Sequence, residues 1–306
     1  MKQKLITLIL VLTILFHAHS AHALIVWDGE IVPAWPEEFY QTALAKRSAS
    51  TSDAPYGFFP HPRDTTFGIV MIVDFSDQTA KFTKEQVNEW LNKKGYSTSY
   101  ANGSVHDYFF QISNGKFNLF NDVFGYYRAK NPKSYYENAN GYEKASELVN
   151  EMISYFDPFV DFSKYDNDKN GTTESISLVY AGSGQTWGKG LWPHSGRINK
   201  KRDGVTLGAY NMSDMGSGLG LYVFCHETGH MIFGWPDLYW FGDYCIMGNR
   251  MSDVNPVPVN DFFGADQGWI PTVTITATYN AVYTTSPGQT AYRFVNPSNK
   301  NQMYLW

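Results

Sequence analysis

The sequence predicts an α+β domain in which helices cover a mixed β-sheet. Three observations carry that expectation. Strand-like and helix-like segments alternate between residues 67 and 181. From Pro271 the sequence turns to Thr, Val, Ile and Tyr in period two, a β-rich tail. With 306 residues, 17% aromatic and only 17% charged, the chain also holds too much apolar material to stay disordered.

The elements follow in order. Lys2 and Lys4 precede an apolar run from Leu5 to Phe16, and small residues ending Ala21-His22-Ala23 come next. This is the three-part pattern of a secretory signal, residues 1–23, cleaved after Ala23. The run makes about 18 Å of helix against a hydrocarbon core of ~30 Å, so the expectation is a secreted protein with no stable membrane anchor. Residues 24–64 mix five prolines with a Ser/Thr-rich stretch and read as an N-terminal extension or pro-segment, with Lys46-Arg47 a basic cleavage point. Phe67 to Phe75 is a β-branched run, a strand buried on both faces. Thr83 and Gln86 form a capping box ahead of a helix whose inner face is Val87, Trp90 and Leu91. Asn102-Gly103-Ser104 opens a second helix with Val105, Tyr108, Phe109 and Ile112 inward, closed by Asn114-Gly115. Lys116 to Arg128 is strand-like. Glu143 to Phe156 has the 3.6 period of a helix, and Ser175 to Ala181 returns to strand.

Charge narrows the function. Without the signal, 22 basic residues face 29 acidic ones, a net charge of −7. Such a balance gives no electrostatic case for nucleic acid or an anionic membrane.

The chemistry centres on His226-Glu227-Thr228-Gly229-His230. On a helix, histidines at i and i+4 share one face and can meet one metal ion. Glu227 then sits where it can take a proton from water, as peptide hydrolysis requires of a general base. Leu219 to Cys225 gives this segment an almost continuously apolar approach, the mark of a helix buried through a domain. Gly234 can end the helix in a left-handed conformation, and Asp237 follows as the candidate third ligand of a zinc site. His194 is the rival, as ligand, as donor to an oxyanion, or as a packed loop histidine. Met247, in Tyr244-Cys245-Ile246-Met247-Gly248, could floor the site from a tight turn or belong to the core. Cys225 and Cys245 could pair as a disulfide if that turn passes beneath the helix; two buried thiols are the alternative. Asp166, Asp168 and Asn170, with Gly171 sixth and Glu174 ninth, match the first half of an EF-hand loop, but Ser177 stands where the bidentate Glu belongs. The expectation is a calcium loop of another kind.

Several stretches together resemble the immune inhibitor A-like secreted zinc metallopeptidases, from about Phe67 to Trp306. They are Val73-Asp74-Phe75-Ser76-Asp77, Ser104 to Phe117, the Asp166 to Glu174 loop leading to Tyr180-Ala181-Gly182, Trp192-Pro193-His194, the two-histidine motif, Pro236-Asp237-Leu238-Tyr239 and Ile246-Met247-Gly248. The resemblance implies a zincin fold, metzincin-like, with a mixed sheet above the cleft, a buried catalytic helix, and a lower subdomain carrying a Met-turn. It implies a peptidase domain over 65–270, a β-rich segment over 271–306, and endopeptidase activity on protein or peptide substrates, usually from a zymogen. Two departures stand out. Relatives place Gly third and Asp sixth after the second histidine; here Gly234 is fourth and Asp237 seventh, and one extra α-helical residue turns a face by about 100°. Relatives also continue past Trp306, so the last segment is expected to be truncated. The expected mechanism has Glu227 as base and then acid, His226, His230 and Asp237 on zinc, and Tyr239 or Tyr244 toward the oxyanion or substrate. An inactive extracellular binding protein on the same scaffold is the alternative, and retention of Glu227 weighs against it.

Overall fold

The computed structural model describes residues 24–27, 30–32, 59–138, 140–249, 252–275, 290–295 and 303–305. The expected signal at 1–23, Lys46-Arg47 and the period-two stretch after Ile275 lie outside the described residues. Among those described, no helix is long and apolar enough to cross a membrane.

Two short strands, β1 (Leu24–Trp27) and β2 (Glu30–Val32), come first. The larger of two units, Phe59–Val259, then opens with β3 (Thr65–Asp74), the predicted apolar strand. Its residues from Ile69 to Val73 are all fully buried, because both faces are covered. Helix α1 (Lys84–Asn92) starts at the Thr83–Gln86 capping box, with both reciprocal bonds made, and buries Val87, Trp90 and Leu91. Helix α2 (Val105–Ile112) starts at a second box, Ser104 with Asp107. Strand β4 (Asn118–Arg128), the short α3 (Lys133–Glu137) and α4 (Glu143–Phe156) follow. Next come β5 (Thr172–Thr173), β6 (Ile176–Tyr180), β7 (His194–Arg202) and β8 (Val205–Asp214).

These strands make one six-stranded sheet in the order β4-β3-β6-β8-β5, with every neighbouring pair on that path parallel. Strand β7 alone runs antiparallel, joined to β8 by a tight turn at Asp203-Gly204, both residues at positive φ. One core packs α4 through Ala145, Leu148, Met152 and Ile153 against Ile69, Met71, Val73, Ile176 and Leu178. A second cluster joins α1, α2 and the segment after β8: Trp90 meets Phe224 edge-on at 4.9 Å, and Phe233 lies 5.1 Å from Phe117 and 5.9 Å from Phe109. The helix predicted through the two-histidine motif is α5 (Tyr222–Thr228). It is shorter than its apolar approach suggested, because Leu219 and Leu221 lie buried in a glycine-containing loop before it.

The second unit takes β1 and β2 together with the chain from Asn260. It holds α6 (Asp261–Asp266), capped by Asn260, and strands β9 (Thr272–Ile275), β10 (Ala291–Val295) and β11 (Met303–Leu305). Its sheet runs β2-β1-β11-β10-β9, with β9 and β10 parallel.

Candidate metal centre

Helix α5 passes directly into a π turn, Gly229–Phe233, ended by Gly234 in the left-handed region at φ 66°. The Gly234 N–H reaches back to the Gly229 carbonyl, five residues earlier, and Trp235 N–H meets the same carbonyl at 3.3 Å. A π turn absorbs one surplus residue within a helix without rotating the chain beyond it. Asp237 returns to the histidines just beyond this turn: its Oδ1 lies 3.1 Å from His226 Nε2 and 3.2 Å from His230 Nε2.

Backbone carbonyls fix both imidazoles. His226 Nδ1 donates to Ile246 O at 2.8 Å and His230 Nδ1 to Trp235 O at 2.5 Å. A carbonyl can only accept, so each Nδ1 carries a proton and each Nε2 of a neutral ring presents a bare lone pair. The two Nε2 atoms lie 3.1 Å apart. Three lone-pair donors thus converge, and their mutual repulsion is relieved only by a cation, either a second proton on an imidazole or a metal ion. His226, His230 and Asp237 form one of two clusters among the described residues able to hold a metal. Burial alone would raise the Asp237 carboxyl, but hydrogen bonds and charge from His226 and His230 hold it well below the ordinary carboxylate range.

Glu227 is almost wholly buried beside this cluster. Burial pushes its carboxyl up to about 7; His226 opposes the rise, Asp237 adds to it, and a hydrogen bond from the Ser195 N–H opposes it again. Ser195 lies on β7, so the edge of the sheet borders the carboxylate. Below the helix, Cys245 to Gly248 forms a turn closed by Gly248 N–H to Cys245 O at 2.7 Å. Met247 is fully buried, and a methyl group on Gly229 would come within 2.8 Å of its sulfur, so the methionine packs directly beneath the two-histidine turn. Gly248 has no alternative residue, since a Cβ there would overlap the Gly242 carbonyl.

The other sequence-predicted residues divide. The Tyr239 ring lies parallel to that of His226 at 6.3 Å, and its hydroxyl, raised chiefly by burial and by the Asp237 charge, hydrogen-bonds Asp237. Tyr244 is 59% exposed. His194 is not brought to the cluster: Nδ1 bonds Trp192 O at 2.7 Å and Nε2 bonds the Tyr210 hydroxyl at 2.9 Å, which leaves neither nitrogen for a metal. That is the packed reading of His194, whereas the disulfide is corrected. Cys225 and Cys245 are both buried thiols, set near the buried Tyr108 hydroxyl, which burial and then the two thiols push well above its usual range. Sequence reasoning missed Ser195 and Tyr222. Tyr222 donates to Gly248 O at 2.7 Å and meets the His226 ring edge-on at 5.7 Å, tying the helix to the methionine turn. Only its place one turn before His226 could have signalled that.

The second cluster is Asp166, Asp168 and Glu174, with carboxylate oxygens within 4.8 Å of one another. Asp166 Oδ2 accepts from Gly171 N–H at 3.0 Å, whereas its Oδ1 is buried without a hydrogen-bond partner. Asn170 spans the turn, giving Nδ2–H to Asp168 and accepting from Thr172 N–H, both at 2.8 Å. Asn167 ties the loop to β3 through both the N–H and the carbonyl of Phe67. Burial raises the Glu174 carboxyl above its ordinary value.

No protein-family model and no curated protein matches the chain.

Proposed function

We propose that this chain is a secreted zinc endopeptidase of the immune inhibitor A type, on a zincin scaffold. The observation that carries the reading is the convergence of two tautomer-fixed Nε2 atoms and the Asp237 carboxylate with a buried carboxylate, Glu227, alongside. The donor set fits zinc. Bonds of ~2.0–2.1 Å in a tetrahedral site put ligand atoms about 3.3 Å apart, close to the 3.1–3.2 Å separations seen here. When bound, zinc would supply an electrophile for the peptide carbonyl and acidify water near neutral pH. Glu227 takes the proton from the attacking water and returns it to the leaving amine, a role suited to a carboxyl poised near 7. The Ser195 N–H orients that carboxylate, and the carbonyls of Ile246 and Trp235 hold the imidazoles. Tyr239, engaged with Asp237, serves the ligand more than an oxyanion. For the Asp166 loop the reading is calcium, because a buried unpartnered carboxylate oxygen next to two further carboxylates suits a hard cation.

The test is casein degradation by the secreted protein beside Glu227→Ala and Asp237→Ala, with zinc quantified in all three. The reading expects about one zinc per chain in wild type and in Glu227→Ala, hydrolysis only in wild type, and zinc depleted in Asp237→Ala. An active Glu227→Ala protein would overturn it.

A further inference from the structure

In a chain of net charge −5, four of the six residues from Arg197 to Arg202 are basic. They lie on β7, the strand that borders Glu227 through Ser195. Arg202 is paired with Asp157 at 3.0 Å. Arg197, Lys200 and Lys201 are exposed, and among the described residues no carboxylate pairs with them. Strand β7 pairs with β8 alone among the described strands, so its other edge is open to an added strand. At ~3.3 Å per residue, Arg197 lies roughly 7 Å along the strand from Ser195, and Lys200 and Lys201 roughly 17–20 Å along it. A register shift between Arg197 and Lys200, with Asn199 at φ 55°, bulges this stretch.

We infer that this edge selects acidic peptide segments, an inference that rests on the peptidase reading above. A peptide lying along β7 across the site from Ser195 runs past Arg197, Lys200 and Lys201 on one side of the bond cut, whereas Leu191 to His194, before Ser195, carry no Lys or Arg. Addition in the antiparallel sense, the commoner pairing, puts the acidic residues N-terminal to that bond. The three cations are solvent-exposed, so each contributes modestly and in a salt-dependent way.

Three fluorogenic peptides with the same apolar core test this on the full-length, zinc-loaded protein: four Glu on the N-terminal side, four Gln there, and four Glu on the C-terminal side. The first is expected to exceed the second in kcat/KM by roughly 10-fold, mainly through KM, and to fall within about twofold of it in 0.5 M NaCl. The combined Arg197→Glu, Lys200→Glu, Lys201→Glu variant inverts that ratio, with the fold checked by circular dichroism. Binding of the labelled Glu peptide to Glu227→Ala protein, read by anisotropy, gives the same preference without hydrolysis. Equal cleavage of Glu and Gln peptides, a preference that survives charge reversal, or a preference for C-terminal Glu overturns the inference and leaves the peptidase reading standing. Salt-sensitive binding of the Glu peptide with no cleavage of any peptide supports the acidic edge and overturns the peptidase. Binding of heparin or phosphatidylserine vesicles through the same cations, with none of the Glu peptide, also overturns the inference.

Discussion

The contact between Gly229 and Met247 makes a prediction with a definite sign. Gly229 has ordinary right-handed helical angles, φ −56° and ψ −47°, so alanine imposes no backbone strain. In an exposed helix that substitution would stabilise by up to about 1 kcal/mol. Here the new methyl would meet Met247 Sδ at 2.8 Å and Trp235 Cε3 at 3.1 Å, and both side chains are buried at 1% exposure or less. Overpacking of this kind costs roughly 1–3 kcal/mol, which outweighs the helical gain. Gly229→Ala should therefore destabilise by about 1 kcal/mol, a drop of roughly 2–4 °C in a unit of this size. Met247→Ala alone opens a cavity and costs roughly 2–5 kcal/mol. In that background the same alanine gains space and becomes neutral or stabilising. The assay is urea and thermal unfolding of the four proteins at one zinc concentration. The cycle should show a coupling of roughly 1–3 kcal/mol. Additive effects, within about 0.5 kcal/mol, would mean the sulfur does not pack under the histidine turn.

Acid and calcium probe two regions away from this contact. Burial pushes the His194 imidazole down to about 4, from an ordinary value of 6.5. A base whose folded value is depressed contributes stability that is whole above 6.5 and is lost as pH falls toward 4, by about 3 kcal/mol at most. His194→Gln should flatten that acid limb in unfolding experiments while leaving bound zinc unchanged, and zinc loss would restore His194 as a ligand. Millimolar calcium should raise the melting temperature by several degrees, as a ligand of the native state does, and Asp166→Asn should abolish the rise; an equal rise in the variant would place the calcium elsewhere.

Much of the scaffold is written locally. The Thr83 and Ser104 caps, the burial of Val87, Trp90 and Leu91, and the limits of helix α4 all follow from interactions within a few residues, and they fall where the sequence puts them. Ile112 is half-buried where the helical period asked for a buried residue, because it occupies the last turn of α2. The β7–β8 hairpin was legible and was missed. Its signal is Asp203-Gly204 between two extended runs, masked by a basic segment that reads as loop. Missing it hid the Ser195 N–H, so Glu227 stood in the sequence without the group that orients it. The roles of His194 and the two cysteines could not be read, because the first depends on a partner remote in the chain, Tyr210, and the second on a separation that spacing does not encode.

Asp237 shows why local counting fails at the point that matters most. Counted on an α-helix, one residue more after His230 swings the subsequent chain about 100° away. In the folded chain, Met231, Ile232 and Phe233 are all buried, and Phe233 stacks on Trp235 at 4.3 Å as well as meeting Phe109 and Phe117. Rotating this segment as a regular helix would move three apolar side chains out of those contacts, at roughly 1.5–3 kcal/mol for each one exposed. Widening one turn from α to π disturbs a hydrogen bond or two, at about 1 kcal/mol each. The packing term is larger, so the turn widens to π and Asp237 comes to lie against both imidazoles. The position of Asp237 is thus set by the apolar residues between it and the helix, which is where substitutions with no contact to the cluster should act on it.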